Sequence, residues 1–142
     1  MNRMKQKLDL VLLIDDNEAD NYLHSLVLKE ADLADHIVAK PDGEAALKYL
    51  NKIDPSAYPG LPQLLFLDIN MPRMNGWEFL QAFDQLPEHK KAHIVIIMLT
   101  TSLHADDARR ALENPNVSAY FNKPLTAEYV EKIVAQYFPE YA

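Results

Sequence analysis

Five short apolar runs, separated by stretches with helical periodicity, restrict the folds open to this chain more than any other feature of the sequence. Apolar runs of this length are typical of strands buried on both faces of a sheet. Strands that alternate with helices call for a parallel sheet joined by right-handed crossovers. The sequence therefore predicts an α/β fold, a doubly wound five-stranded parallel sheet with five helices. The predicted strands are residues 10–14, 36–39, 64–67, 93–99 and 117–121.

The first predicted helix begins after Asn17, a residue type that favours the helix N-cap, and runs to about Ala34. The apolar residues that recur there at helical spacing are Tyr22, Leu23, Leu26 and Val27. We expect them to form the apolar face of this helix. Residues 87–91 are predicted to be a polar connection. Residues 54–62 contain three prolines and a glycine and are predicted to be a loop, to which the sequence assigns no role.

Length and composition favour a single domain over residues 1–142, with a tail at residues 1–8 and no output domain. The net charge is −7 and the basic residues form no cluster, which argues against a nucleic-acid partner. Without cysteine, the chain offers no disulfide and no thiolate metal site. No apolar run is long enough to cross a bilayer and no signal peptide is evident, so we expect a cytoplasmic protein without a membrane partner.

Polar residues stand where four of the predicted strands end, namely Asp15 and Asp16, Asp68, Thr100 and Lys123. The carboxyl ends of parallel strands lie along one edge, where open α/β sheets place their ligands, so we expect these side chains to converge. Three neighbouring carboxylates repel one another, which raises their pKa values unless a cation lies between them. Oxygen ligands without Cys or His suit Mg²⁺ or Mn²⁺.

The remaining two side chains at this edge suit a phosphoryl group. Lys123 offers a compact positive charge to one phosphoryl oxygen, and Thr100 offers a hydroxyl donor to another. The carboxylate of Asp68 is then the nucleophile of an aspartyl-phosphate reaction. The residues by themselves thus predict a metal-dependent phosphoryl-transfer site.

Several short motifs, which occur in a fixed order along the chain, give it a resemblance to a known family. They are the acidic pair in Ile14-Asp15-Asp16-Asn17, the run Leu67-Asp68-Ile69-Asn70-Met71-Pro72 with Asn75-Gly76, the pair Leu99-Thr100, and Tyr120 three residues before Lys123-Pro124. From about residue 10 to residue 138, the chain resembles a two-component response regulator receiver domain of the stand-alone, chemotaxis-regulator-like type. The resemblance implies a flavodoxin-like receiver fold with strand order 2-1-3-4-5.

The resemblance also implies roles for individual residues around the acids. Asp68 is the expected phosphoacceptor. Asp16, Asp68 and the backbone carbonyl of Asn70 are expected to bind Mg²⁺ directly, and Asp15 to act largely through a water. By analogy with the family, Mn²⁺ can replace Mg²⁺.

A conformational switch next to the phosphoacceptor is also implied. Lys123 is expected to pair with the phosphoryl group, and its peptide bond to Pro124 is expected to be cis. Thr100 is expected to move toward the phosphoryl group, and Tyr120 to turn into the space that it leaves. The change is then read on the face formed by the fourth predicted helix, the fifth strand and the fifth helix.

The resemblance further implies partners of two kinds. The expected phosphodonor is a sensor histidine kinase or a histidine phosphotransfer protein, and the expected output is contact with a downstream protein target, by a monomer or a homodimer. Such a protein catalyses only its own phosphorylation and dephosphorylation. It is therefore expected to be a signalling phosphoacceptor in a two-component system and not an enzyme.

Two other functions share parts of this pattern. A degenerate receiver, which binds a partner without being phosphorylated, remains the alternative, although the acids, Thr100 and Lys123 argue against it. An aspartate-nucleophile phosphatase of the haloacid dehalogenase type needs a second Asp where this chain has Asn70. The five histidines lack metal-ligand spacing, and three glycines cannot build a phosphate-cradling loop.

Overall fold

A central parallel sheet organises the chain. The computed structural model describes residues 7–54, 56–57, 60–91, 93–101 and 104–141. Its strands are β1 (Leu8–Ile14), β2 (Ala34–Lys40), β3 (Leu64–Leu67), β4 (Val95–Thr100) and β5 (Val117–Asn122). They pair in the order β2-β1-β3-β4-β5, and every pairing is parallel. The predicted fold class and the strand order implied by the resemblance are both confirmed.

The described part of the chain contains six α-helices, one more than predicted. They are α1 (Glu18–Glu30), α2 (Gly43–Lys52), α3 (Gly76–Asp84), α4 (Glu88–Lys91), α5 (Ala105–Glu113) and α6 (Ala127–Tyr137), with a 3₁₀ turn at Pro139–Tyr141. The additional helix is α4, a single turn where a polar connection was predicted. One turn is too short to show a helical period, so the sequence pattern does not reveal it. The predicted fourth and fifth helices are thus α5 and α6. None of the described helices is long and apolar enough to span a membrane.

The predicted end of α1 is wrong. The helix stops at Glu30, and Ala34, which was expected to be its last residue, begins β2. Asp32 lies between them with a positive φ of 53°, a conformation that a helix cannot continue through. The strand boundaries differ by smaller amounts, because β1 and β2 begin two residues before their predicted starts and β4 is displaced toward Thr100.

The apolar face expected for α1 is wrong at three of its four positions, and Val27 alone of the four is half-buried against the core. The buried residues of this helix are Asn21, His24 and Leu28, whereas Tyr22 is 64% and Leu23 is 53% exposed. Two polar side chains therefore occupy positions on the buried side of α1. Hydrophobic periodicity cannot predict such positions, because it assigns every polar residue to the solvent-facing side of a helix.

Two hydrophobic clusters lie on opposite faces of the sheet. Helices α2, α3 and α5 contribute to one cluster, together with Leu12 of β1 and Leu65 of β3. Helices α1 and α6 contribute to the other, together with Leu13 of β1 and Phe66 of β3. Neighbouring residues of each central strand thus point to opposite clusters, as expected for a parallel sheet covered on both faces.

Candidate functional site

Two buried aspartates follow the central strands of the sheet. Asp15 comes directly after β1 and Asp68 directly after β3, and they are 5% and 7% exposed. The backbone N–H of Asp68 donates to the carbonyl of Ile14 at 3.0 Å, and that of Asp15 donates to the carbonyl of Lys40 at 3.2 Å. These bonds continue the sheet by one residue past each strand. Both carboxylates therefore stand on a rigid backbone.

The turn after β3 fixes Asp68 from the other side. The backbone N–H of Gly76 donates to the carbonyl of Ile69 at 2.8 Å. A Cβ atom on Gly76 would lie 2.6 Å from the carbonyl oxygen of Asp68, so only glycine fits this approach. Asn75 and Glu78 then form a capping box that starts α3. The helix thus begins in contact with the backbone of Asp68.

Three carboxylates meet at this edge of the sheet. Asp15, Asp16 and Asp68 each offer an oxygen, and the three oxygens lie within 4.8 Å of one another. Asp15 and Asp68 are buried, while Asp16 is exposed. A set of oxygen donors with one open side suits a hard divalent cation that keeps some of its waters. The donor set therefore fits Mg²⁺ or Mn²⁺.

Lys123, just past the end of β5, lies among these acids. Its Nζ is 2.5 Å from Oδ2 of Asp15, 2.8 Å from Oδ2 of Asp20 and 3.5 Å from Oδ2 of Asp68. The lysine side chain is only 8% exposed. Its peptide bond to Pro124 is cis, as the resemblance implied. One ammonium group therefore offsets part of the negative charge at this edge.

The charges at this edge depend on one another. Burial raises the pKa of Asp68 and the negative charge of Asp15 raises it further, while Lys123 and hydrogen bonds from the Thr100 hydroxyl and the Ile69 N–H oppose the rise. Burial works against the charged form of Lys123, but hydrogen bonds to the neighbouring carboxylates and the charge of Asp68 raise its pKa above the ordinary value. Lys123 is therefore a cation at neutral pH, held beside a carboxylate that is costly to ionise.

The two expected switch residues lie on neighbouring strands. Thr100 ends β4, is fully buried, and donates its hydroxyl hydrogen bond to Asp68. Tyr120 lies in β5 opposite Met98, is half-buried, and packs against the cluster formed with α2 and α3. Asn70, two residues past Asp68, has an exposed side chain.

Two residues near the acids were not found from the sequence. Asp20 pairs with Lys123 as described, and the side-chain amide of Asn21 donates to the backbone carbonyl of Asp15 at 2.8 Å. The N-cap Asn17 was the available signal. Because it places the start of α1 at the strand ends, polar residues in the first turns of the helix lie within reach of the acids.

Comparisons with known proteins agree with this geometry. A family model described as the response regulator receiver domain matches residues 11–135. The chain is 31% identical to "Response regulator Rcp1" of Synechocystis, over 88% of this chain and 83% of that protein.

Solved structures give the same result. A two-component response regulator from Cytophaga hutchinsonii superposes with a TM-score of 0.85 at 31% identity, over 94% of this chain and 99% of that one. The Mn²⁺-bound form of Rcp1 superposes with a TM-score of 0.69 at 30% identity, over 90% of this chain and 93% of that one.

Proposed function

This chain belongs to the response regulator receiver family, and from that premise we propose that Asp68 accepts a phosphoryl group from a phosphohistidine on a histidine kinase or histidine phosphotransfer protein. The observation that carries the proposal is the setting of Asp68. Its buried carboxylate is fixed at a strand end, beside two more carboxylates and the Lys123 ammonium. That combination supplies a nucleophile, a place for a hard cation and a permanent positive charge.

The chain's own residues supply most of the chemistry. An oxygen of Asp68 forms the new bond to phosphorus while the bond from phosphorus to the histidine nitrogen breaks, and the imidazole keeps the electron pair of the broken bond. Lys123, 3.5 Å from Oδ2 of Asp68, stabilises negative charge on a transferred oxygen. The Thr100 hydroxyl, which bonds Asp68 in this structure, is the donor for a second oxygen.

A divalent cation completes the proposed site. Asp16, Asp68 and the backbone carbonyl of Asn70 would bind it directly, and Asp15 largely through a water. When bound, Mg²⁺ or Mn²⁺ would offset the charge of the carboxylates and of the phosphoryl oxygens. The Mn²⁺-bound form of Rcp1 supports a cation of this kind in a similar protein.

Thr100 and Tyr120 form the proposed switch. A phosphoryl group on Asp68 places new acceptor oxygens next to the Thr100 hydroxyl, so Thr100 moves toward them and Tyr120 turns into the space that it leaves. Because β4 and β5 are paired along these residues, the change reaches the surface formed by α5, β5 and α6. We propose that a downstream protein target reads this surface.

Intact mass spectrometry tests the proposal. The native protein is incubated with a small-molecule phosphodonor in the presence of Mg²⁺, beside Asp68→Asn, a chelated sample, and Asp106→Asn as a matched control. Asp106 is 87% exposed on α5, so its loss removes the same charge far from the acids. We expect one phosphoryl group on the native protein and the control, and none on Asp68→Asn or the chelated sample. No phosphoryl group on the native protein, together with no binding of Mg²⁺, would instead favour a degenerate receiver.

A further inference from the structure

We infer that Asp20 is a positioning residue that holds the Lys123 ammonium in place for the phosphoryl group, an inference that rests on the proposed function. Asp20 accepts a hydrogen bond from Nζ of Lys123 at 2.8 Å, across 103 positions of sequence. The bond joins the first turn of α1 to the end of β5. Nothing in the sequence motifs marks Asp20 for this contact.

The three carboxylates that contact Lys123 would differ in availability once a cation and a phosphoryl group are bound. Its ammonium has three N–H donors, and three carboxylates lie around it. Asp15 and Asp68 belong to the group of acids that fits a cation, and Asp68 also takes the phosphoryl group. Asp20 is outside that group. It therefore remains available to Lys123 when the other two carboxylates are engaged.

Asp20 is itself held in place. Its backbone N–H donates to the side chain of the N-cap Asn17 at 3.0 Å, which fixes it in the first turn of α1. The Asp20 side chain is 28% exposed and that of Lys123 is 8% exposed. A lysine side chain has several freely rotating bonds, so one fixed carboxylate that stays paired with it keeps its ammonium oriented toward Asp68.

The test uses beryllofluoride, a mimic of the phosphoryl group, with the full chain at saturating Mg²⁺. Its dissociation constant is measured calorimetrically for the native protein, Asp20→Asn and Asp20→Glu. Glu18→Gln is the matched control, because Glu18 is exposed in the same turn of α1 and loses the same charge. Asp20→Asn should weaken beryllofluoride binding by about three- to tenfold, the loss of one charge-assisted bond. Asp20→Glu should restore most of the affinity, and Glu18→Gln should stay within about twofold of native.

The direction of the effect separates positioning from simple charge. Removing a negative charge near an anion by itself tightens binding of the anion, so weaker binding in Asp20→Asn, with Mg²⁺ affinity and fold preserved, points to the loss of its bond to Lys123. The Mg²⁺ dissociation constant and the melting temperature without Mg²⁺ are measured on the same samples. The Mg²⁺ dissociation constant should match that of Glu18→Gln, because Asp20 is outside the acid group that fits the cation. The melting temperature should fall only slightly below that of Glu18→Gln, because Asp20→Asn weakens one bond to Lys123 while two other carboxylates remain beside the ammonium.

Two results would overturn the inference. Equal or tighter beryllofluoride binding in Asp20→Asn would show that Asp20 only competes for Lys123. A large loss of Mg²⁺ affinity or of melting temperature would show that Asp20 binds the cation or maintains the fold. Failure of the native protein itself to bind beryllofluoride through Asp68 would count first against the proposed function, which makes the two failures distinguishable.

Discussion

Helices α3 and α5 lie on the same face of the sheet but are attached to it very differently. Helix α3 buries Phe79, Leu80 and Phe83 in the cluster that it shares with α2. Helix α5 has the same length, yet its buried residue is Ala111, and Leu112 beside it is 63% exposed. Burial of a large apolar side chain contributes about 1.5–3 kcal/mol, so α3 is held far more firmly.

The difference matches the two tasks that the proposed switch would need. Helix α3 begins at Gly76 against the backbone of Asp68, so a firm α3 keeps the proposed phosphoacceptor in place. Helix α5 follows Thr100, the residue expected to move, and a helix with little buried surface can shift at low cost. The guanidinium of Arg110 on α5 lies over the ring of Trp77 on α3, with its Cζ 4.4 Å from the ring centroid. We therefore expect changes in α3 to affect stability and changes in α5 to affect response.

The largest expected effect separates the two helices by stability. Phe79→Ala should lower the free energy of unfolding by about 3–5 kcal/mol, because it empties a fully buried position. Leu112→Ala should change it by less than about 0.5 kcal/mol, because that side chain faces solvent. Urea unfolding measures both. Similar losses in the two variants would mean that α5 is anchored as firmly as α3.

Addition of Mg²⁺ should stabilise the protein, and the effect should be local to Asp68 and the turn that leads into α3. A ligand at about 100 times its dissociation constant adds about 2.7 kcal/mol when it binds only the folded state. Hydrogen exchange should slow in the turn from Asp68 to Gly76 and change little in α5. Calorimetric melting with and without chelator gives the size of the effect, and Asp68→Asn should reduce it. Equal stabilisation of Asp68→Asn by Mg²⁺ would mean that the cation binds at a different site.

Arg110→Ala should loosen α5 without disturbing α3. An exposed contact between a cation and an aromatic ring is worth about 0.5–1 kcal/mol. Exchange of α5 amides should therefore quicken and the fluorescence of Trp77 should change, while α3 stays protected. Arg109→Ala is the control, because Arg109 lies on the same helix and pairs locally with Asp106 at 3.2 Å. Equal changes in amide exchange and Trp77 fluorescence in Arg110→Ala and Arg109→Ala would contradict a specific role of Arg110 in holding α5 to α3.

The smallest expected effect is a pH dependence on the opposite face of the sheet from α3 and α5, where His24 of α1 is buried. Burial lowers the pKa of His24 below its ordinary value of 6.5. As the pH falls below 6.5, the unfolded chain takes up a proton that the folded protein resists, so the free energy of unfolding decreases. His24→Leu should flatten this decrease, whereas His89→Gln, at an exposed histidine, should retain it. Unfolding curves between neutral and mildly acidic pH decide the matter.

The fold could be predicted because parallel strands are buried on both faces and leave continuous apolar runs. The same topology brings Asp15, Asp16 and Asp68 together. Asp15 and Asp68 each stand directly after a strand, and Asp16 follows Asp15 in the chain. Their individual roles stay predictions.

What the sequence missed has physical reasons. The buried face of α1 carries Asn21 and His24, and hydrophobic periodicity assigns polar residues to solvent. The bond between Asp20 and Lys123 spans 103 positions and depends on how α1 meets β5. Helix α4 has only four residues, too few for a periodic signal. Contacts between distant segments and the burial of polar side chains could thus be identified only from the folded structure.

The most direct test of the account is to locate the phosphoryl group. The protein is phosphorylated by a small-molecule donor with Mg²⁺, reduced with borohydride to convert the aspartyl phosphate to homoserine, and mapped by peptide mass spectrometry. We predict homoserine at position 68, with Asp15 and Asp16 unmodified and no reaction in a chelated sample. Homoserine at another acid, or a phosphoryl group that resists borohydride, would contradict the assignment of Asp68 as the phosphoacceptor.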